Sequence, residues 1–558
     1  MACQRGQHSH SGDCVTESRP AFANPRLPWE TGKCRKSPLD RDGRFCHYLS
    51  RMSEAEKQFC PSQATSMNRH GKRRSFLTES TGCKKSVWYE IYQRVVVVAS
   101  AAVLSSTLAL LAVGNQSSAA TNILGAERDE QIEYRLKWNL DTLVGDYERH
   151  GRHDPKWDES AKAGLTSFAQ SRAIVGSVKG KVSSAGFPAA IKTAVSNGCD
   201  DPLILYLHAR SVLSPESHTE KEPGEAYRLA AEALSQSQYA PIRKFYAALR
   251  AAEALNAGST NTTLEVRRWR DKAIQYLVDA VKDKTMPPAE VYESCDQMLK
   301  AVKNNKQEFG QFYLAFDPII FKNWPSDASL YLLKGTFYKD YAWQARGSAY
   351  AYKVTDEGWD LFAERLAEAE KALTKAWELN PRDERIALQM LRVELGQGKG
   401  RARMEMWFQR AAVLNPNYYD AFHAKLYYLE PKWHGSPEDM LEFGRECVKS
   451  KQWGGHVPLI LRDAHESLAK YLKKEQQAAY WKQPEVWEDL KAAFEKFFAL
   501  NPGEKGWRHN YALYAYRAEQ WDDLNLQLPL LGKINYEFFG GKNQYENMVR
   551  LAKEHTRK

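Results

Sequence analysis

The chain has 558 residues, 43% of them hydrophobic, which suffices for two to four domains or one long repeat array with a large core. Its formal charge of +10 is uneven: residues 1–94 carry 17 Lys and Arg against 9 Asp and Glu, and the remainder 62 against 60. A body balanced to +2 lacks the basic face of a nucleic-acid domain, so no nucleic-acid partner is expected.

Residues 1–66 are polar, with scattered Pro and Cys and no apolar period, and read as a disordered leader. Translation starting at Met52 or Met67 would leave most or all of it out. Cys3, Cys14, Cys34, Cys46, Cys60 and Cys83 crowd this end, without CxxC spacing and so without a zinc-ribbon pattern. Residues 67–94 form a basic segment with Arg69, Lys72, Arg73, Arg74, Lys84, Lys85 and Arg94.

The run VVVVASAAVLSSTLALLAVG, Val95–Gly114, holds no charge, and the next charged residue is Glu127. A bilayer crossing takes about 20 such residues, and positive flanks stay cytoplasmic. Residues 95–114 are therefore expected to be a single transmembrane anchor, with the N-terminus inside and the body outside the cytoplasm. Two other readings remain. The small residues Ser117–Ala120 suit signal cleavage, which would give a secreted scaffold, and the run could be a core helix. Residues 115–126 read as a linker.

From residue 127 the pattern turns helical. Ile132, Leu136, Leu140, Leu143, Val144 and Tyr147 recur at helical spacing. Asp200 or Asp201 caps a helix opening at Pro202. Ala226–Gln236, Pro241–Asn256 and Leu264–Asp283 read as further helices, and strand signals are nearly missing. Cys199, Cys295 and Cys447 are too scattered for a disulfide framework and read as buried free thiols.

"LNP" then recurs at Leu379–Pro381, Leu414–Pro416 and Leu500–Pro502, each time after an amphipathic helix. This resembles the tetratricopeptide repeat, a helix–turn–helix unit of about 34 residues. Ala369 and Ala376 match its two small positions. Before Pro416, Ala411 matches the second and Phe408 the aromatic one, while Met404 departs from the first. Leu490 and Phe497 make the last unit degenerate, and the Trp, Leu and Gly of the repeat's first helix are poorly kept. The frame makes Ile386–Leu395 and Ala402–Val413 the two helices of one unit. Gly396, Gly398 and Gly400 between them are then an inter-helix turn. A phosphate loop would need a strand before and Gly-Lys-Ser/Thr after, and both are missing.

The stretches RGSAYAYKVTDEGWDLFAERLAEAEKAL, MEMWFQRAAVLNPNYYDAFHAKLYYLEPKWHGSPEDMLEFGREC and WRHNYALYAYRAEQWDDL are similar to a family of tetratricopeptide-like bacterial proteins of planctomycete type and unassigned function. The resemblance covers roughly residues 127–558. It implies a fold and a lineage but no chemistry. Where that family's pattern commonly has a second glycine, this chain has His434.

The expected fold is all-α: a right-handed, tetratricopeptide-like α-solenoid, residues 127–305 and 306–558, behind one transmembrane helix. Such an array offers a concave face to a protein or peptide partner. In the frame set by Pro381 and Pro416, the first helices turn Arg385, Arg392, His423 and Tyr427 inward, with Trp433 and His434 at the mouth of the next turn. The rival class is a hydrolase built from Ser436, His456, Asp463 and His465. Against it, Ser436 precedes Pro437 and acidic residues like a helix cap, and no G-x-S-x-G elbow occurs. His150 and His153 lack the spacing and third ligand of a metal site. Arg346, amid Tyr341, Trp343 and Tyr350, reads as an arginine stacked on aromatics, with carboxylate binding as the alternative. Neither metal nor cofactor is expected.

Overall fold

The computed structural model describes residues 130–173, 186–212, 223–258 and 263–556. The chain divides into two units, Met1–Val103 and Leu104–Lys558, and every described residue lies in the second. The expected leader, basic segment, 95–114 span and linker fall outside the described residues. Among those described, no helix is long and apolar enough to cross a membrane, and there is no strand.

Helix α1 (130–140) passes through a π turn at Asp141–Gly145 into α2 (Asp146–His150). Next come α3 (Asp158–Ala173), α4 (Gly186–Ser196) and α5 (Pro202–Val212). Asp201 caps α5 as the sequence suggests, its Oδ1 accepting from the backbone N–H groups of Leu203 and Ile204. The expected helices over 226–283 are α6 (Pro223–Ser235), α7 (Pro241–Gly258) and α8 (Thr263–Ala280).

After α9 (Pro288–Val302) and α10 (Lys306–Asn323), α11 (Ala328–Arg346) and α12 (Asp356–Leu379) form a long hairpin. The array continues with α13 (Glu384–Gln397), α14 (Arg401–Leu414), α15 (Tyr419–Tyr428), α16 (Pro437–Lys449), α17 (Ile460–Ala469), α18 (Lys474–Trp481) and α19 (Pro484–Leu500). It closes with α20 (Trp507–Arg517), α21 (Trp521–Gln527) and α22 (Lys542–Thr556).

The repeated LNP has one physical meaning. Proline pushes the residue before it out of the helical region. Asn380, Asn415 and Asn501 accordingly leave α12, α14 and α19 at φ −144°, −143° and −132°. Each N–H still reaches the carbonyl four residues back, so the helix ends without an orphaned donor at that step.

Odd-numbered helices touch in series: α9 with α11, α11 with α13, α13 with α15, α15 with α17, and α17 with α19. The even-numbered helices pack behind them, α12 on both α11 and α13, and α14 on both α13 and α15. This is the two-layer arrangement of a helical-repeat array. Its core runs through the unit in three apolar clusters. Ala369 and Ala376, at the small positions, are fully buried. The close crossing of α11 and α12 is set by Gly335, where a Cβ would lie 2.4 Å from Leu373 Cγ. Cys199, Cys295 and Cys447 are free and buried, as expected.

Candidate functional site

The odd-numbered layer carries an open groove of about 740 Å³. Tyr292 and Lys303 reach it from α9 and its end, Lys339 and Trp343 from α11, Gln389 and Arg392 from α13, and Asp420, His423 and Tyr427 from α15. Three expected contact residues, Arg392, His423 and Tyr427, therefore share one surface.

Lys339 anchors the floor. It is 6% exposed, with Nζ 2.8 Å from Gln389 Oε1 and 2.9 Å from Asp340 Oδ1. Burial lowers its ammonium pKa below the usual lysine value, although Asp340 pulls the other way. Lys303 lies 3.9 Å from the same aspartate, and Lys300 pairs with Asp296 at 2.5 Å. Arg392 and His423 differ: among the described residues no carboxylate oxygen lies within 4 Å of either. The groove thus offers aromatic faces, two cationic or imidazole donors free to take an outside acceptor, and a hydrogen-bonded lysine below them. Among the described residues that line it, no nucleophile is paired with a base.

The remaining expected residues sit elsewhere. Arg385 spends its guanidinium on the cap of its own helix, Nη2 2.6 Å from Asp383 Oδ2, and borders the groove with its Cζ 5.4 Å from the Tyr292 ring centre. Trp433 closes the mouth edge-on to Trp343, 5.7 Å between ring centres, and 5.9 Å from Tyr427. His434 turns away from the groove. Its Nε2 donates to Leu395 O at 2.9 Å, and its ring lies 4.4 Å from Tyr428, so it closes the end of α13.

Arg346 is the stacked arginine that the sequence suggests. Its Cζ stands 5.6, 5.3 and 5.7 Å from the ring centres of Trp343, Trp359 and Trp433. Beside it, Tyr350 and Tyr352 stack on each other and are largely exposed.

The hydrolase constellation does not assemble. Ser436 Oγ accepts from Asp439 N–H as a helix cap. His456 packs on Phe497 and Trp507. Asp463 accepts from the Tyr419 hydroxyl and pairs with Arg462 at 2.8 Å. Both His465 nitrogens are occupied, one 2.7 Å from Tyr480 Oη and the other 3.1 Å from Asp489 Oδ2. His153 faces Asp158 at 3.1 Å rather than pairing with His150.

In the glycine turn, Gly398 and Gly400 take φ +61° and +105°, which favours glycine. The cations around it are paired across helices. Lys399 and Arg403 both reach Glu370, and Arg401 joins Glu405 at 2.9 Å to Asp439 at 3.3 Å. They tie neighbouring hairpins.

Sequence reasoning missed Tyr292, Lys339 and Gln389, and saw Trp343 only as a neighbour of Arg346. The first two and Trp343 lie on α9 and α11, which precede the first LNP and so had no repeat frame to orient them.

No protein-family model and no curated relative matches the chain. Among solved structures, the human IFIT1 dimer with m7Gppp-AAAA matches at 13% identity and TM-score 0.31, over 74% of this chain and 77% of that one. At that score the likeness decides neither partner nor activity. The matched structure holds an oligonucleotide, which conflicts with the expectation of no nucleic-acid partner; that expectation is withdrawn, and no nucleic-acid partner is assigned in its place. A net count is blind to local distribution: Lys470, Lys474, Lys482 and Arg517 line one cleft, where Glu519 and Glu466 in the same lining pair with Lys482 and Arg517.

Proposed function

We propose that the chain is a helical-repeat scaffold that holds an extended segment of a partner protein in the groove across α9, α11, α13 and α15. The observation that carries this reading is the pairing of unneutralised Arg392 and His423 with the faces of Tyr292, Trp343 and Tyr427 in one groove of about 740 Å³. Arg392 would take a carboxylate or backbone carbonyl of the segment, and the aromatic faces its side chains. Trp433 would border the entry. Arg385 and His434 would act through the helix ends they hold.

The uncharged run 95–114, with Arg69, Lys72, Arg73, Arg74, Lys84, Lys85 and Arg94 upstream against Arg128 alone close downstream, supports a single-pass anchor that places the scaffold outside the cytoplasm. Cleavage after Ala119 or Ala120 would give a secreted form. The residues shared with the tetratricopeptide-like bacterial family support placing the chain in that lineage.

The test is co-purification from native envelope with the full chain and with Arg392→Glu plus Tyr427→Ala. A partner retained by the wild type and lost by the double variant is expected. A partner retained equally by both removes the groove from the account.

A further inference from the structure

The N-terminal half buries charge away from the groove. Arg135, Arg172, Arg243, Glu290 and Glu293 draw together α1, α3, α7 and α9. Arg135, 1% exposed, bonds both glutamates, and Arg172 lies 2.7 Å from Glu293 and 3.8 Å from Glu290. Arg243, 3% exposed, finds only neutral acceptors: its Nη2 is 2.7 Å from Asn139 Oδ1 and 2.5 Å from Thr142 Oγ1. Among the described residues no carboxylate oxygen lies within 4 Å of it. Asp146, whose field also reaches Arg243, gives its oxygens to Arg149 at 2.7 Å and to the Ala240 N–H at 2.9 Å. Three guanidiniums against two carboxylates leave the cluster one positive charge in excess.

That excess faces a small cavity of about 10 Å³, room for one water-sized occupant. Arg172, Arg210 and Arg243 line it, and among the described residues no carboxylate does. Tyr206, 3% exposed, lines it too, and among the described residues its hydroxyl has no hydrogen-bond partner. Tyr246 and Gln297 are satisfied: Tyr246 donates to Glu290 at 2.6 Å, and Gln297 accepts from Arg250 and donates to Glu293. A water would satisfy Tyr206 and leave the charge standing. A monatomic anion would accept from Tyr206 and neutralise the buried guanidinium, which low-dielectric surroundings otherwise disfavour. Burial indeed pushes the Arg243 pKa below the usual arginine value despite the opposing field of Glu290.

We propose that this cavity is a structural halide site that holds chloride between Arg243, Arg172, Arg210 and the Tyr206 hydroxyl. The full chain should unfold at a higher temperature in sodium chloride than in sodium gluconate of equal ionic strength, with a rise that saturates as chloride replaces gluconate. Bromide should substitute. Tyr206→Phe keeps the ring and removes the one free hydroxyl, so it should need several-fold more chloride for half of the rise. Arg243→Met should lose the chloride dependence; if it fails to fold, Tyr206→Phe alone decides. Equal midpoints in chloride and gluconate, or an unshifted chloride titration in Tyr206→Phe, would overturn the site.

Discussion

Arg135 and Glu290 hold each other across 155 residues of chain, Nε 2.9 Å from Oε2, with both side chains buried. The pair ties the first described helix to α9, the helix that opens the groove. Breaking a buried pair strands the other charge. Glu290→Gln should therefore destabilise the folded chain by about 3–5 kcal/mol in denaturant unfolding. A loss within that of an exposed substitution would mean that the pair is not closed in solution.

The same residue sets an acid limit. Burial alone would raise the Glu290 carboxyl, but Arg135, Arg172, Arg243 and the Tyr246 hydroxyl outweigh it and hold it at about 2. A depressed carboxylate pKa stabilises the fold above the unfolded-state value of about 4.3 and loses that contribution as pH falls toward 2. The contribution is about 3 kcal/mol, from the size of the shift. Unfolding free energy should thus fall between pH 4.5 and 2, and the Glu290→Gln chain should show a shallower fall over the same window.

The glycine turn separates backbone from charge. At Gly398 a Cβ would meet a left-handed backbone and lie 3.1 Å from His434 Cε1. Gly398→Val should cost about 1–3 kcal/mol. Lys399→Gln and Arg401→Gln break pairs that are about half exposed and should each cost within about 1 kcal/mol. Calorimetric titration with ATP should show no binding to the wild type. Binding that disappears in the Lys399/Arg401 double variant would instead make the turn a phosphate site.

The proposed anchor has its own readout. Carbonate washing of native membranes should leave the full chain in the pellet. An intact soluble chain beginning near Thr121 would establish the secreted form in its place.

The array was legible in the sequence where proline punctuates it. Pro381 and Pro416 end helices by steric necessity, and once their frame is set, Arg392, His423 and Tyr427 fall on one side of the first helices. Lys339 was not legible: in FYKDYAW apolar and charged residues surround the helix on all sides, and only the contact with Gln389 shows which way the lysine turns. His434 misled because a turn residue can face either the groove or the preceding helix end, and the Leu395 carbonyl captures it. The buried cluster was invisible for a deeper reason. Arg135, Arg243 and Glu290 occupy helix positions that read as solvated faces, and their burial depends on partners more than a hundred residues away. Gly335 likewise reads as a weak helix residue until α12 is seen against it.

The central claim is that the odd-numbered layer, not the even-numbered one, meets the partner. A photo-crosslinking side chain in place of His423 on α15, compared with one in place of exposed Gln409 on α14, tests it in the native envelope with the full chain. The account predicts a discrete crosslinked product from position 423, lost when Arg392→Glu and Tyr427→Ala are added, and none from position 409. A product from position 409 with nothing from position 423 would contradict it.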